Sequence, residues 1–201
     1  MRRSEPHAKA STSDAAAARA QFAALRAGDQ AAWQALTDRY TNLLWSIARG
    51  MGLSHADAAE VVQMTWLRLV EGLESVRQPE FVGSWLATTA RRECLTVLRR
   101  HSREQVGASA EWPDLPDASG ELDEAMLREE RDAALWQAFG RLRPACQALL
   151  RVLMADPRPS YVEVSDALGI PIGSIGPSRQ RCLAVLRQIM LSGAAQAPDA
   201  V

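Results

Sequence analysis

Residues 81–100 read FVGSWLATTARRECLTVLRR. On a helix of 3.6 residues per turn, Leu86, Ala90, Cys94 and Val97 fall along one stripe, with Ala87 and Leu98 at its margin. The opposite arc collects Trp85, Thr88, Arg92, Thr96 and Arg99. A solvated helix face ordinarily carries Glu, Lys and Gln. A large aromatic ring among arginines and hydroxyls is instead the surface that meets unstacked bases and phosphates. The competing reading is a basic solvated face with Trp85 folded back onto a neighbour. Both readings require an amphipathic helix, and helical periods recur on either side of it, with no strand pattern anywhere.

Towards the N-terminus, residues 1–13 are polar and small and are expected to be a disordered tail. An Ala-rich helix follows from Asp14 to Leu25, and a second from Gln30 to Met51. The second has an apolar stripe at Trp33, Leu36, Tyr40, Leu43 or Leu44, Ile47 and Met51. After Gly52, Ser54 and Asp57 predict a capping box. The helix they open carries Val62, Trp66, Leu69 and Leu73 inward, and Asp57, Glu60, Gln63, Met64, Arg68 and Glu71 outward. Residues 14–103 therefore read as one compact helical body.

Towards the C-terminus, residues 104–121 hold two prolines, five acidic residues and no period, which is a linker. Trp112 and Leu115 either anchor it to a surface or are incidental. A second helical domain is expected over 122–190, with helices over 122–142, 144–155 and 161–168 and one ending near Met190, and a tail over 191–201. Within it SYVEVSDALGIPIGSIGPSRQRCLAVLR, residues 160–187, has helix-turn-helix spacing. Ser160 and Glu163 form a capping box, Gly169 supplies the turn, and Ile170 packs between the helices. In this motif the second helix enters the major groove, which makes Ser174, Ser178, Arg179 and Arg181 candidate DNA contacts. A plain helical hairpin would show a similar pattern. Pro177 is costly inside a helix, so Ser174 is expected to be the N-cap of a helix starting near Ile175.

Composition narrows the function. The 201 residues carry a net charge of −1, yet the charge is segregated. Arg91, Arg92, Arg99, Arg100 and Arg103 cluster around the opening helix, residues 111–132 are strongly acidic, and the balance turns basic again from Arg141 to Arg187. No apolar run is long enough for a membrane span and no secretion signal is evident, so a cytoplasmic location is expected. Cys94, Cys146 and Cys182 lie far apart without a CxxC pair. Small core residues are the expectation for all three, rather than a disulfide or a metal site. With three histidines and no catalytic grouping, no enzyme activity, metal or cofactor is expected.

AGDQAAWQAL (27–36), DAAEVVQMTWLRLVEGL (57–73), SWLATTARRECLTVLRR (84–100), the linker and SYVEVSDALGIPIGSI (160–175) together resemble a bacterial sigma factor of the extracytoplasmic-function type. The resemblance implies an all-α protein of two small helical domains, sigma region two and a helix-turn-helix region four, joined by an acidic flexible linker. It implies core RNA polymerase as partner, through the clamp helices of β′ and the flap of β, with promoter DNA as ligand and an anti-sigma factor as a candidate regulator. Asp57, Glu60, Gln63 and Met64 fall where the family meets the clamp helices, Met64 replacing an acidic residue. Trp85, Thr88, Arg91, Arg92, Thr96 and Arg99 fall on the helix used at the −10 element, where Arg92 stands for the usual Asn and Thr96 for the usual Asp. Ser174, Ser178, Arg179 and Arg181 fall at the −35 element. A stand-alone helix-turn-helix regulator is the alternative, and a helical adaptor without DNA function is a more remote one.

Overall fold

The structure, a computed structural model, describes residues 12–104 and 133–194, and every regular element among them is helical. The linker beyond residue 104, the 122–132 part of the following helix and the outermost residues of both expected tails lie outside the described residues. Helix α1 (Thr12–Arg26) and helix α2 (Gln30–Gly50) turn about Gly28, whose φ of 78° favours a residue without Cβ. The Asp29 carboxylate caps α2, accepting from the backbone N–H of Ala31 at 2.8 Å and of Ala32 at 3.2 Å. Helix α3 (His55–Gly72) starts under Ser54, whose hydroxyl accepts from Asp57 N–H and donates to the Asp57 carboxylate at 2.5 Å. Ser54 is thus the N-cap, but the Asp57 carboxylate meets its hydroxyl and not the backbone N–H that a full capping box would use. Two short 3-10 turns, Leu73–Ser75 and Pro79–Phe81, lead into α4 (Val82–Glu104).

Helices α2, α3 and α4 pack around Leu36, Leu44, Ile47, Leu69 and Leu86, while α1 adds Phe22 and Leu25. The stripe read from the sequence of α4 is fully inside: Leu86, Ala87, Ala90 and Cys94 are buried. Thr65 is the buried polar residue here, and its hydroxyl donates to the Val61 carbonyl at 2.7 Å, which removes the cost of desolvating it.

In the C-terminal half, α5 covers residues 133–140, followed by α6 (Pro144–Leu153), α7 (Tyr161–Leu168) and α8 (Ile172–Ala194). The Ser160–Glu163 capping box is present with both arms, and Gly169 takes the left-handed conformation at φ 68°. Two expectations fail. The first concerns α8, which is helical from Ile172 straight through Pro177 instead of starting near Ile175 under Ser174. Ser174 lies inside it, its hydroxyl donating back to the Pro171 carbonyl at 2.7 Å. Gly176 eases the passage through Pro177, having no Cβ to clash with the ring of the following proline. The second failure is the disulfide that joins Cys146 of α6 to Cys182 of α8. The spacing of 36 residues hid a pair that helix packing brings to a Cα separation of 5.4 Å. Smaller differences occur at the ends, where α1 already includes Thr12 and α8 runs past Met190 into the expected tail.

The two halves are not apart. Helix α6 lies along α2 and α7 lies along α4, and one continuous apolar core runs from Phe22 to Cys182. Glycine makes both crossings close: a Cβ on Gly50 would stand 3.1 Å from Ala148 Cα, and one on Gly83 would stand 2.9 Å from Tyr40 Cε1 and collide with the Glu163 carboxylate. The Asn42 side-chain amide donates to the Asp156 carbonyl at 2.7 Å across the same seam.

Candidate nucleic-acid interface

The outer side of α4 presents Trp85 at 40% exposure, followed along the helix by exposed Arg92, Thr96 and Arg99. Thr88 is half-buried between them. The Thr96 hydroxyl donates to the Arg92 carbonyl at 3.1 Å, so its methyl and one lone pair face outward. Arg99, Arg100 and Arg103 line a shallow depression with Thr96, a concentration of guanidinium groups that suits a phosphate backbone. Arg91 departs from the sequence reading. It is half-buried and its guanidinium lies over Gly169, close enough that a Cβ there would come within 2.8 Å of Nη2. That places a cation at the C-terminal end of α7, where the helix dipole favours it.

The second patch predicted from sequence lies on α3 and is joined to the end of α4. The Glu60 carboxylate takes two hydrogen bonds from Arg100 at 3.0 and 3.1 Å. Asp57 pairs with Arg100 at 3.8 Å and with His101 at 3.3 Å. The Arg100 hydrogen bonds hold the Glu60 carboxyl below its usual range. Gln63 is exposed and Met64 half-buried. On the same helix Leu67 and Val70 are both about half exposed, apolar positions that the sequence reading did not add to Met64 on this face. Exposed apolar side chains beside carboxylates suit contact with a protein surface.

On α8 the inward positions are Ile175 and Cys182, with Leu186 and Ile189 half-buried below them. Ser174 and Ser178 are half-buried, Ser174 donating to the Pro171 carbonyl and Ser178 accepting from Arg181 at 3.2 Å. Arg179 and Arg181 are exposed as expected. Gln180 is exposed between them and was missed; helical phase relative to Ile175 would have found it. A glutamine amide there can make a bidentate pair with an adenine edge. Among the described residues no three His, Cys, Asp or Glu side chains are grouped to hold a metal ion, and no helix is long and apolar enough to cross a membrane.

Residues 36–104 match the family model described as Sigma-70 region 2, from the second turn of α2 to the last residue of α4. Over 152 residues the chain is 27% identical to the ECF RNA polymerase sigma factor SigE of Mycolicibacterium smegmatis, a match covering 74% of this chain and 58% of that protein. The stretch from α2 to α4 is thus similar to sigma-70 region 2, and the chain as a whole is similar to a sigma factor of the extracytoplasmic-function type. It spans just over half the length of this curated relative. Two solved structures share the all-α fold of this chain. CnrH, solved in complex with the cytosolic domain of CnrY, superposes with a TM-score of 0.55 at 19% identity, covering 88% of this chain and 98% of that one. RpoE from Bartonella quintana, solved with the anti-sigma factor NepR, gives 0.54 at 20% identity, covering 78% and 97%. The family match sets α2, α3 and α4 as the region-two unit, which carries both the α4 basic face and the α3 patch.

Proposed function

We propose that this protein is a dissociable initiation subunit of bacterial RNA polymerase, acting in the cytoplasm, which directs the core enzyme to promoters and opens the −10 element. The observation that carries the reading is the coincidence of the region-two match with α4, whose outer face joins a half-exposed Trp85 to Arg92, Thr96 and Arg99. The work is done by binding energy, with no covalent step. Unstacking a base costs a few kcal/mol, and each captured base stacked on an aromatic ring returns about 1–3 kcal/mol. One or two non-template bases held at Trp85 therefore offset the opening of a short bubble, while the arginines hold phosphates.

In this reading the α3 patch of Asp57, Glu60, Gln63, Met64, Leu67 and Val70 docks on the clamp helices of β′. Helix α8 reads the −35 element with Arg179, Gln180 and Arg181, while its domain meets the β flap. Residues 14–103 and 122–190 act as two domains, linked by the acidic 104–121 segment. In this reading the halves, packed through α7 on α4, separate on polymerase so that the two DNA-reading faces reach both promoter elements. A protein partner that holds the halves together would inhibit; of the two structural neighbours, one was solved with the cytosolic domain of CnrY and the other with NepR, named an anti-sigma factor.

Fluorescence anisotropy on a labelled promoter duplex tests the reading. Binding is expected only when core polymerase is present, and it should weaken steeply with salt. Tight binding by the chain alone, as a dimer on paired half-sites, would identify a stand-alone regulator instead.

A further inference from the structure

The Cys146–Cys182 pair is the feature of the fold that promoter reading does not use. Cys182 is 5% exposed and lies on the inner side of α8, directly behind the exposed Arg179, Gln180 and Arg181. Cys146 is half-buried in the first turn of α6, two residues after Pro144. Past Cys182, helix α8 is thinly covered: Leu186 and Ile189 are half-buried, while Leu183, Val185, Met190 and Leu191 are all exposed. The covalent link is therefore a principal anchor of the C-terminal half of the reading helix, and it fastens that helix to α6, the element that packs on α2.

Disulfides are rare in proteins that work among cellular thiols, and those present there are usually transient and redox-sensing. We propose that Cys146 and Cys182 are a hydroperoxide-reactive dithiol, and that its oxidation pins α8 to α6 and so raises promoter reading. The consequence for transcription rests on the function proposed above; the chemistry of the site does not.

The assignment of the two sulfurs follows from their places. Cys146 is reachable by a small oxidant, and the N-terminal turn of α6 favours negative charge on it, so it is the attacking thiolate. It takes the terminal oxygen of the hydroperoxide, breaking the O–O bond, and becomes a sulfenic acid while the alkoxide leaves as the alcohol. The buried Cys182 thiol then attacks the Cys146 sulfur, forming the S–S bond and releasing water. Two thiols and one hydroperoxide yield one disulfide, one alcohol and one water. A small dithiol reverses the process by exchange. Cys94 is an internal control, since it is fully buried and its thiol is pushed up to about 12 by burial.

The test uses the full-length chain, reduced and then treated with hydrogen peroxide. Alkylation after denaturation, read by intact mass, should label all three cysteines in the reduced sample and only Cys94 in the oxidised one. With Cys182→Ser, a 1,3-dione probe should trap sulfenic acid at Cys146; with Cys146→Ser, it should trap none. Oxidised chain with core polymerase should yield more run-off transcript than reduced chain, and both serine variants should lose that difference. Should a serine variant fail to fold, the wild-type comparison of oxidised with reduced chain still decides. Three labelled cysteines after peroxide treatment overturn the proposal, as do equal transcript yields from the two forms. If neither form supports transcription, the sigma reading fails, and the mass measurement alone decides whether the dithiol is a site of oxidation.

Discussion

Gly83→Ala separates the packing account from simple helix propensity, because the two have opposite signs. Gly83 is the second residue of α4, where alanine should favour the helix by about 1 kcal/mol. The structure opposes this. A Cβ at that position would collide with the Glu163 carboxylate and stand 2.9 Å from Tyr40 Cε1. Tyr40 is in the core and cannot yield cheaply, and overpacking of this kind costs about 1–3 kcal/mol. Glu163 can yield only by leaving its capping box, in which it accepts from Ser160 N–H at 2.7 Å and from the Ser160 hydroxyl at 2.8 Å. Losing that cap costs about 1 kcal/mol. The net expectation is a destabilisation of about 2 kcal/mol, which in a chain of this size lowers Tm by roughly 4–8 °C. Differential scanning calorimetry measures it. Combining Gly83→Ala with Glu163→Ala should cost less than the two single changes added, because the clash partner has gone. A Gly83→Ala chain as stable as the wild type, or more so, would refute the close packing of α4 on α7.

Trp85→Ala should reduce open-complex formation by about 5- to 150-fold, the equivalent of the 1–3 kcal/mol of one stacked base, while closed-complex formation is spared; permanganate reactivity of the bubble reads the first and gel mobility the second. Equal loss of both would make Trp85 structural. Arg100→Ala should cost no more than about 1 kcal/mol at pH 7, because the pair with Glu60 is exposed and screened. The Glu60 carboxyl is depressed in the folded chain, so the contribution is present above the ordinary carboxylate range and fades as the pH falls through and below it. A wild-type advantage in urea unfolding that grows on acidification would contradict this. Cys94, with its thiol near 12, should resist iodoacetamide at pH 8 until the chain unfolds. Since its folded value is raised above the ordinary 9.0, its contribution to stability is complete below about pH 9 and declines towards pH 12. Prompt alkylation of the native chain would show that the α4 stripe is not buried.

The helices were legible because their signals are local. The stripe of Leu86, Ala90, Cys94 and Val97, the Ser160–Glu163 box and the left-handed Gly169 all depend on residues within one or two turns. What escaped sequence reading is non-local. Nothing near Cys146 announces Cys182, and nothing near Arg91 announces that it will lie over Gly169 instead of facing outward with Arg92. The start of α8 was misplaced for a different reason. The average cost of proline in a helix overstates its cost here, where Gly176 precedes Pro177 without a Cβ. For the candidate site, Trp85, Arg92, Thr96 and Arg99 are exposed on α4 as their helical phase predicts, while Gln180, Leu67 and Val70 are exposed positions that the sequence reading did not single out.

The central claim is that this chain confers promoter-dependent initiation on core RNA polymerase. Run-off transcription on genomic fragments of the source organism, with core enzyme alone and with core enzyme plus the purified full-length chain, measures it directly. The account predicts discrete transcripts only when the chain is added, sharply reduced by Arg92→Ala and by Arg179→Ala. Transcription that stays the same with and without the chain on every fragment would contradict it.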